Sequence, residues 1–141
     1  METKAQPLWK KYFDDMEMYK GTPIYYAGSK GAIVFCLHGA GDSSLSFSCM
    51  AKVLKAKCRV VAFDFKGHGD SEHLTASFKL HDLIAEVVAI IEYISSKFPS
   101  ANIVLVGHSM GGAIATKLTE KLHANPKEYK FAPFIKGRLL T

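Results

Sequence analysis

Hydrophobic positions along this chain alternate between short unbroken runs and long periodic stripes. Ala32–Leu37 (AIVFCL), Arg59–Phe63 (RVVAF) and Asn102–Val106 (NIVLV) are compact, rich in β-branched residues and free of polar alternation. Such runs predict strands buried on both faces of a parallel sheet. Between the last two, Leu80, Leu83, Ile84, Val87, Val88, Ile91, Ile94 and Phe98 recur at intervals of three and four, the stripe of an amphipathic helix that Pro99 stops. Ala113, Ile114, Ala115, Leu118 and Leu122 repeat at the same spacing, and Ser44–Lys55 carries Leu45, Phe47, Val53 and Leu54 as a shorter helix. Ahead of these, Met16–Tyr19 and Thr22–Tyr26 flank Lys20-Gly21 as a hairpin, with Pro23 placing its second strand at an edge or a bulge. Trp9, Tyr12 and Phe13 are packing anchors for the terminus.

Strands alternating with helices predict right-handed βαβ units and an α/β fold, a mostly parallel sheet with helices on both faces. The expected organisation is one domain over 1–141: an N-terminal segment and hairpin (1–31), a parallel core (32–125) and a broken tail (126–141) in which Phe134-Ile135 hint at a new strand.

The chemistry concentrates where the third buried strand meets its helix. Gly107-His108-Ser109-Met110-Gly111 is a GxSxG pattern in the context the motif demands, a strand before it and a helix after it. A side chain at position 107 or 111 would collide with the neighbouring strand or helix as the backbone doubles back, so the spacing has a steric origin. A second glycine-rich stretch, His38-Gly39-Ala40-Gly41-Asp42, follows the strand Ala32–Leu37. Alone, it reads equally as a tight βα turn or as a loop offering backbone N–H groups to a developing oxyanion; the serine turn downstream favours the second. If the two strands are neighbours, Ser109 Oγ and the amides of Ala40 and Met110 converge on one carbonyl-sized volume, the geometry of acyl transfer. His68, between Gly67 and Gly69, reads as a loop-fixing residue.

Composition narrows the setting. The chain has 141 residues, 48% hydrophobic and 22% charged, with a formal charge of +5 from scattered lysines. These values suit one soluble domain and favour neither nucleic acid nor membrane as partner. Cys36, Cys49 and Cys58 are odd in number and make no CxxC or Cys/His metal spacing, so a reducing compartment and no metal are expected. No signal-peptide core or apolar run approaching 18 residues occurs, which predicts a cytoplasmic, or nuclear, location.

The aromatic cluster Trp9 with Tyr12-Phe13-Asp14, the loop HGAGDSSLSF, the strand-turn RVVAFDFKGHGDS and the elbow GHSMGGAIA together resemble the first part of an α/β-hydrolase, and specifically the protein phosphatase methylesterase family. The resemblance runs to about Gly137. It implies a serine carboxylesterase needing no cofactor, with Ser109 as nucleophile and Ala40 and Met110 as oxyanion donors. By the same resemblance the partner is the protein phosphatase 2A catalytic subunit, whose C-terminal leucine methyl ester is the substrate. Substrate-binding residues are not identified.

The departure from the family pattern is at the other end. An α/β-hydrolase triad runs Ser, acid, His along the chain, and after FIKG only Arg138-Leu139-Leu140-Thr141 follow. His123 lies about four turns along the elbow helix, and His108 occupies a place that is commonly structural in the family. The expectation is therefore an α/β-hydrolase truncated after the elbow helix, nearly inert alone, with the strand Asn102–Val106 left as an exposed apolar edge. Two alternatives stand beside it: a non-catalytic phosphatase-binding form, and a hydrolase acting on a small ester or lipid.

Overall fold

The computed structural model describes residues 5–141; the first four positions of the N-terminal segment lie outside them. Six strands, β1 (Asp15–Tyr19), β2 (Thr22–Ala27), β3 (Ile33–Leu37), β4 (Arg59–Phe63), β5 (Ile103–Gly107) and β6 (Ile135–Leu140), form one sheet in the order β1-β2-β4-β3-β5-β6. The helices α1 (Ser48–Leu54), α2 (Leu80–Lys97) and α3 (Met110–Ala124) connect the parallel strands. β1 and β2 form the antiparallel hairpin and β2 is antiparallel to β4, while β4-β3-β5-β6 are parallel.

The sheet is clothed on both sides. On one face, Ile33, Phe35, Leu37, Val61, Phe63, Ile103 and Leu105 pack with Leu83, Ile84, Val87, Ile90, Ile91 and Ile94 of α2 and with Ile114, Leu118 and Leu122 of α3. Six fully buried aliphatic side chains on α2 contribute roughly 1.5–3 kcal/mol each, which fixes that helix more firmly than its local propensity could. On the other face, Phe47 and Ala51 of the α1 segment and Phe13 from the terminus pack with Tyr25, Cys36, Val60, Ala62 and Val106. The anchors behave as their sequence implies: Trp9 meets the Tyr25 ring edge-on at 6.0 Å, and Phe13 lies 5.6 Å from the same ring.

Three expectations are corrected. Pro23 does not mark an edge, because β2 is flanked by β1 and β4. It is tolerated because Pro23, opposite Met18 of β1, lies just outside the register with β4, which starts at Ile24 opposite Phe63, and offers that side only its carbonyl, which accepts the Asp64 N–H at 3.2 Å. β5 is not an exposed edge either; β6 pairs with it from Ile103↔Ile135 to Gly107↔Leu140, across a register shift between Ile103 and Val104. The 126–141 tail is thus a short 3-10 helix at Ala132–Phe134 followed by β6. Finally, the predicted helix over 44–55 is a 3-10 turn at Ser44–Phe47 running into α1. Ser43 caps this turn by accepting the Leu45 N–H on its hydroxyl at 3.3 Å.

Candidate active site

The connections out of the central strands diverge: β3 leads through α1 to β4 on one side, and β5 leads through α3 to β6 on the other. The crevice where ligands bind in such sheets opens between β3 and β5 at their carboxyl ends. Leu37 pairs with Gly107 there, so the loops that follow the two strands start side by side.

Ser109 sits at the junction of β5 and α3 with φ 54° and ψ −114°. Left-handed φ is costly for a residue with a Cβ, by about 1–3 kcal/mol, and persists only where the surroundings dictate it. Here glycine contacts dictate it. A Cβ on Gly107 would lie 2.4 Å from the Gly111 carbonyl oxygen, and one on Gly111 would lie 2.0 Å from the Leu37 carbonyl oxygen. The first glycine lets strand and helix meet, and the second lets the helix start press against β3, as the motif's spacing predicted. Ser109 is exposed. Its N–H donates to the Thr141 carbonyl at 3.0 Å, and the Thr141 N–H donates to the Gly107 carbonyl at 3.0 Å, so the end of β6 is tied to the elbow.

The loop after β3 comes up against the serine. A Cβ on Gly39 would stand 3.3 Å from Ser109 Cβ. Gly39–Asp42 is a tight turn, closed by the Asp42 N–H donating to the Gly39 carbonyl at 3.1 Å, with Gly41 at φ 80° in the position that favours glycine. The structure therefore brings the Ser109 elbow and the Ala40 turn together, and Met110 begins the helix beside them.

Beneath the turn lies a buried polar group that sequence reasoning did not find. His38 is fully buried; its Nδ1 lies 2.7 Å from the Gly39 carbonyl, and its Nε2 accepts the Phe65 N–H at 3.1 Å. Burial is the main influence on this imidazole and holds its pKa below the ordinary 6.5. Asp64, 1% exposed, accepts the Ser44 N–H at 2.8 Å on one oxygen and the Asp70 N–H at 3.0 Å on the other. Each strand end thus secures the other strand's loop: His38 after β3 holds Phe65, and Asp64 after β4 holds Ser44. Tyr25 Oη lies 3.4 Å from Asp64 and 3.1 Å from Asp70, and its burial pushes the phenol pKa far up. The available signal was a charged residue directly after an all-apolar strand, in Phe63-Asp64.

Of the five remaining histidines, four are engaged elsewhere and one is remote from the serine. His68 Nδ1 lies 3.0 Å from the Lys66 carbonyl, the loop-fixing contact expected of it. His73 Nε2 lies 2.7 Å from the Lys20 carbonyl, and His81 pairs with Asp82 at 2.9 Å. His108 Nδ1 lies 3.0 Å from Thr141 Oγ1, and His123 is in the last turn of α3, at the far end from Ser109. Among the described residues no cluster of three or more His, Cys, Asp or Glu side chains could hold a metal ion, and no helix is long and apolar enough to cross a membrane.

A parallel sheet with a strained serine at its switch point is the architecture of a hydrolase, and comparison with known proteins identifies it. The profile of the alpha/beta hydrolase fold matches residues 32–128, and the chain belongs to that family. Its similar relatives include the protein phosphatase methylesterases 1 of Candida albicans, 41% identical over 108 residues covering 74% of this chain and 30% of that protein. The Bos taurus protein of the same name is 37% identical over 122 residues, covering 76% of this chain and 31% of its own length. The chain thus spans about a third of the length of these relatives. Among solved structures, the thioesterase domain from the curacin biosynthetic pathway aligns with a TM-score of 0.67 at 30% identity, over 90% of this chain and 44% of that one. Potato epoxide hydrolase I aligns at 0.70 and 23% identity, over 89% and 39%, a likeness of fold.

Proposed function

We propose that this chain carries the nucleophile and oxyanion donors of a serine carboxylesterase of the protein phosphatase methylesterase type. Its substrate in this reading is the methyl ester on the C-terminal leucine of the protein phosphatase 2A catalytic subunit. The observation that carries the reading is Ser109, held at φ 54° between β5 and α3, with the Gly39–Ala40 turn against its Cβ. Ser109 Oγ attacks the ester carbonyl, and the oxyanion that forms is met by the amides of Ala40 and Met110. The C–O bond to the methoxy group breaks, methanol leaves with a proton, and water releases the carboxylate from the acyl-enzyme. No cofactor enters this chemistry.

The positions and partners of the histidines described above leave no general base against Ser109 among the described residues. In a serine hydrolase, loss of that base costs about a millionfold in turnover, roughly 8 kcal/mol. The chain by itself is accordingly expected to turn over ester at close to background rate, and the same observation favours a second reading, a non-catalytic form that keeps a phosphatase-docking surface. A fluorophosphonate probe applied to the endogenous protein, with intact mass read alongside and Ser109→Ala as control, separates the two. Labelling that depends on Ser109 and occurs on a species heavier than 15.5 kDa supports the esterase. A folded, unlabelled species at 15.5 kDa that retains the phosphatase on pull-down overturns it in favour of the second reading.

A further inference from the structure

We propose that His38 is a positioning residue of the oxyanion loop: through a proton on Nδ1 it pins the Gly39 carbonyl and thereby aims the Ala40 N–H at the space in front of Ser109. The inference rests on the esterase reading for the purpose of that N–H, and on the hydrogen bonds alone for its direction.

The tautomer follows from the donors. The Phe65 amide can only donate, and it meets Nε2 at 3.1 Å, so Nε2 must present a lone pair. A neutral ring then carries its one proton on Nδ1, which lies 2.7 Å from the Gly39 carbonyl and donates to it. A doubly protonated ring could not accept from Phe65, and burial disfavours that charged form independently. Packing restrains the ring: Phe65 lies edge-on against it at 4.9 Å and 85°, and the His68 ring is 5.1 Å away.

The consequence for Ala40 is planar geometry. The Gly39 carbonyl and the Ala40 N–H belong to one trans peptide unit, so they point in opposite directions. Two donors, His38 Nδ1 and the Asp42 amide at 3.1 Å, hold the oxygen inward. The Ala40 N–H is therefore directed outward, on a residue that is itself exposed while Gly39 beside it is buried. Asp42 alone would close the same turn, but only His38 ties the peptide plane to the β3–β4 framework, where Asp64 in turn anchors Ser44 and Asp70. Preorganisation of this kind spares the oxyanion the cost of turning a dipole during reaction.

Imidazole one-bond and two-bond ¹H–¹⁵N correlations on the ¹⁵N-labelled 141-residue chain at pH 7.5 read the tautomer directly. A proton on Nδ1 of His38 is expected; a proton on Nε2, or on both nitrogens, overturns the proposal whatever the variants do. Two substitutions then divide the ring's bonds. His38→Asn keeps an amide donor near the Nδ1 position, and His38→Gln keeps an acceptor near Nε2. The nuclear Overhauser contact between the Ala40 amide proton and Ser109 Hβ is expected in the wild type and in His38→Asn, and lost in His38→Gln. Retention in both variants, or loss in His38→Asn alone, overturns it. A wrong esterase reading would leave tautomer and contact unchanged and appear only as a serine that the fluorophosphonate does not label in the endogenous protein.

Discussion

The strand pair at the centre of the sheet and the strand at its β6 margin are built to different standards. At the centre, Phe35, Leu37 and Leu105 are wholly inaccessible, and the helix start presses onto the Leu37 carbonyl so closely that Gly111 has no room for a Cβ. At the margin, Lys136 to Leu140 are exposed throughout, Leu139 at 57%, and a Cβ on Gly137 would meet nothing within 4 Å. The margin has a register shift and one neighbour, while the centre has strands on both sides and loops cross-braced by His38 and Asp64. The half of the site that would attack and stabilise an ester is thus preorganised by contacts within this chain. The region next to β6 is not.

The same substitution placed in both regions tests that contrast most sharply. Gly111→Ala puts a methyl group 2.0 Å from a backbone oxygen that cannot move without disturbing β3. The expected loss is about 3 kcal/mol, at the upper end of overpacking penalties, because no flexible side chain is available to yield. A fall in the urea midpoint at unchanged slope would register it. A loss below about 1 kcal/mol would mean the elbow is looser than its contacts imply.

The strained serine at the elbow offers the next test of the centre. Ser109 holds φ 54° and ψ −114°, a conformation that glycine adopts without steric cost. Ser109→Gly is therefore expected to raise the stability of this chain by about 1 kcal/mol while removing the hydroxyl that the fluorophosphonate would label in the endogenous protein. Glycine's extra freedom in the unfolded chain offsets part of the relief, which is why the gain stays near the low end of the strain range. Thermal unfolding of the two proteins in parallel checks it; a variant less stable than wild type would show that the serine side chain is held by favourable contacts rather than strained.

Much of the centre was legible in the sequence, and the reason is local. Ile103–Val106 followed by GxSxG and an apolar helical stripe specify strand, turn and helix through sterics that act within a dozen residues. The α2 stripe was equally legible, although Ile90, which it omits, is buried and Leu80, the first residue of the helix, is 41% exposed. What stayed hidden depends on strand order. Pro23 reads as an edge residue until β4 is known to require only its carbonyl, and His38 and Asp64 read as loop residues until β3 and β4 are known to be adjacent. β6 was legible only as Phe134-Ile135, since Lys136, Gly137 and Arg138 carry the polarity of an outer strand rather than the apolar run of an inner one.

The smallest effect belongs to the margin, and it completes the comparison. Gly137 pairs with Val104 in the β5–β6 ladder, is exposed, and does not occupy the left-handed region, so nothing in its surroundings requires glycine. Replacing it with alanine removes conformational freedom from the unfolded chain without a clash in the folded one, a change expected to stabilise by about 0.5 kcal/mol. The sign is opposite to that at Gly111, although the chemistry of the substitution is identical and both glycines border β5. Should Gly137→Ala instead cost a kcal/mol or more in the same urea titration, the β6 strand would be packed against something that its exposed side chains do not reveal, and the difference between centre and margin would be smaller than the contacts indicate.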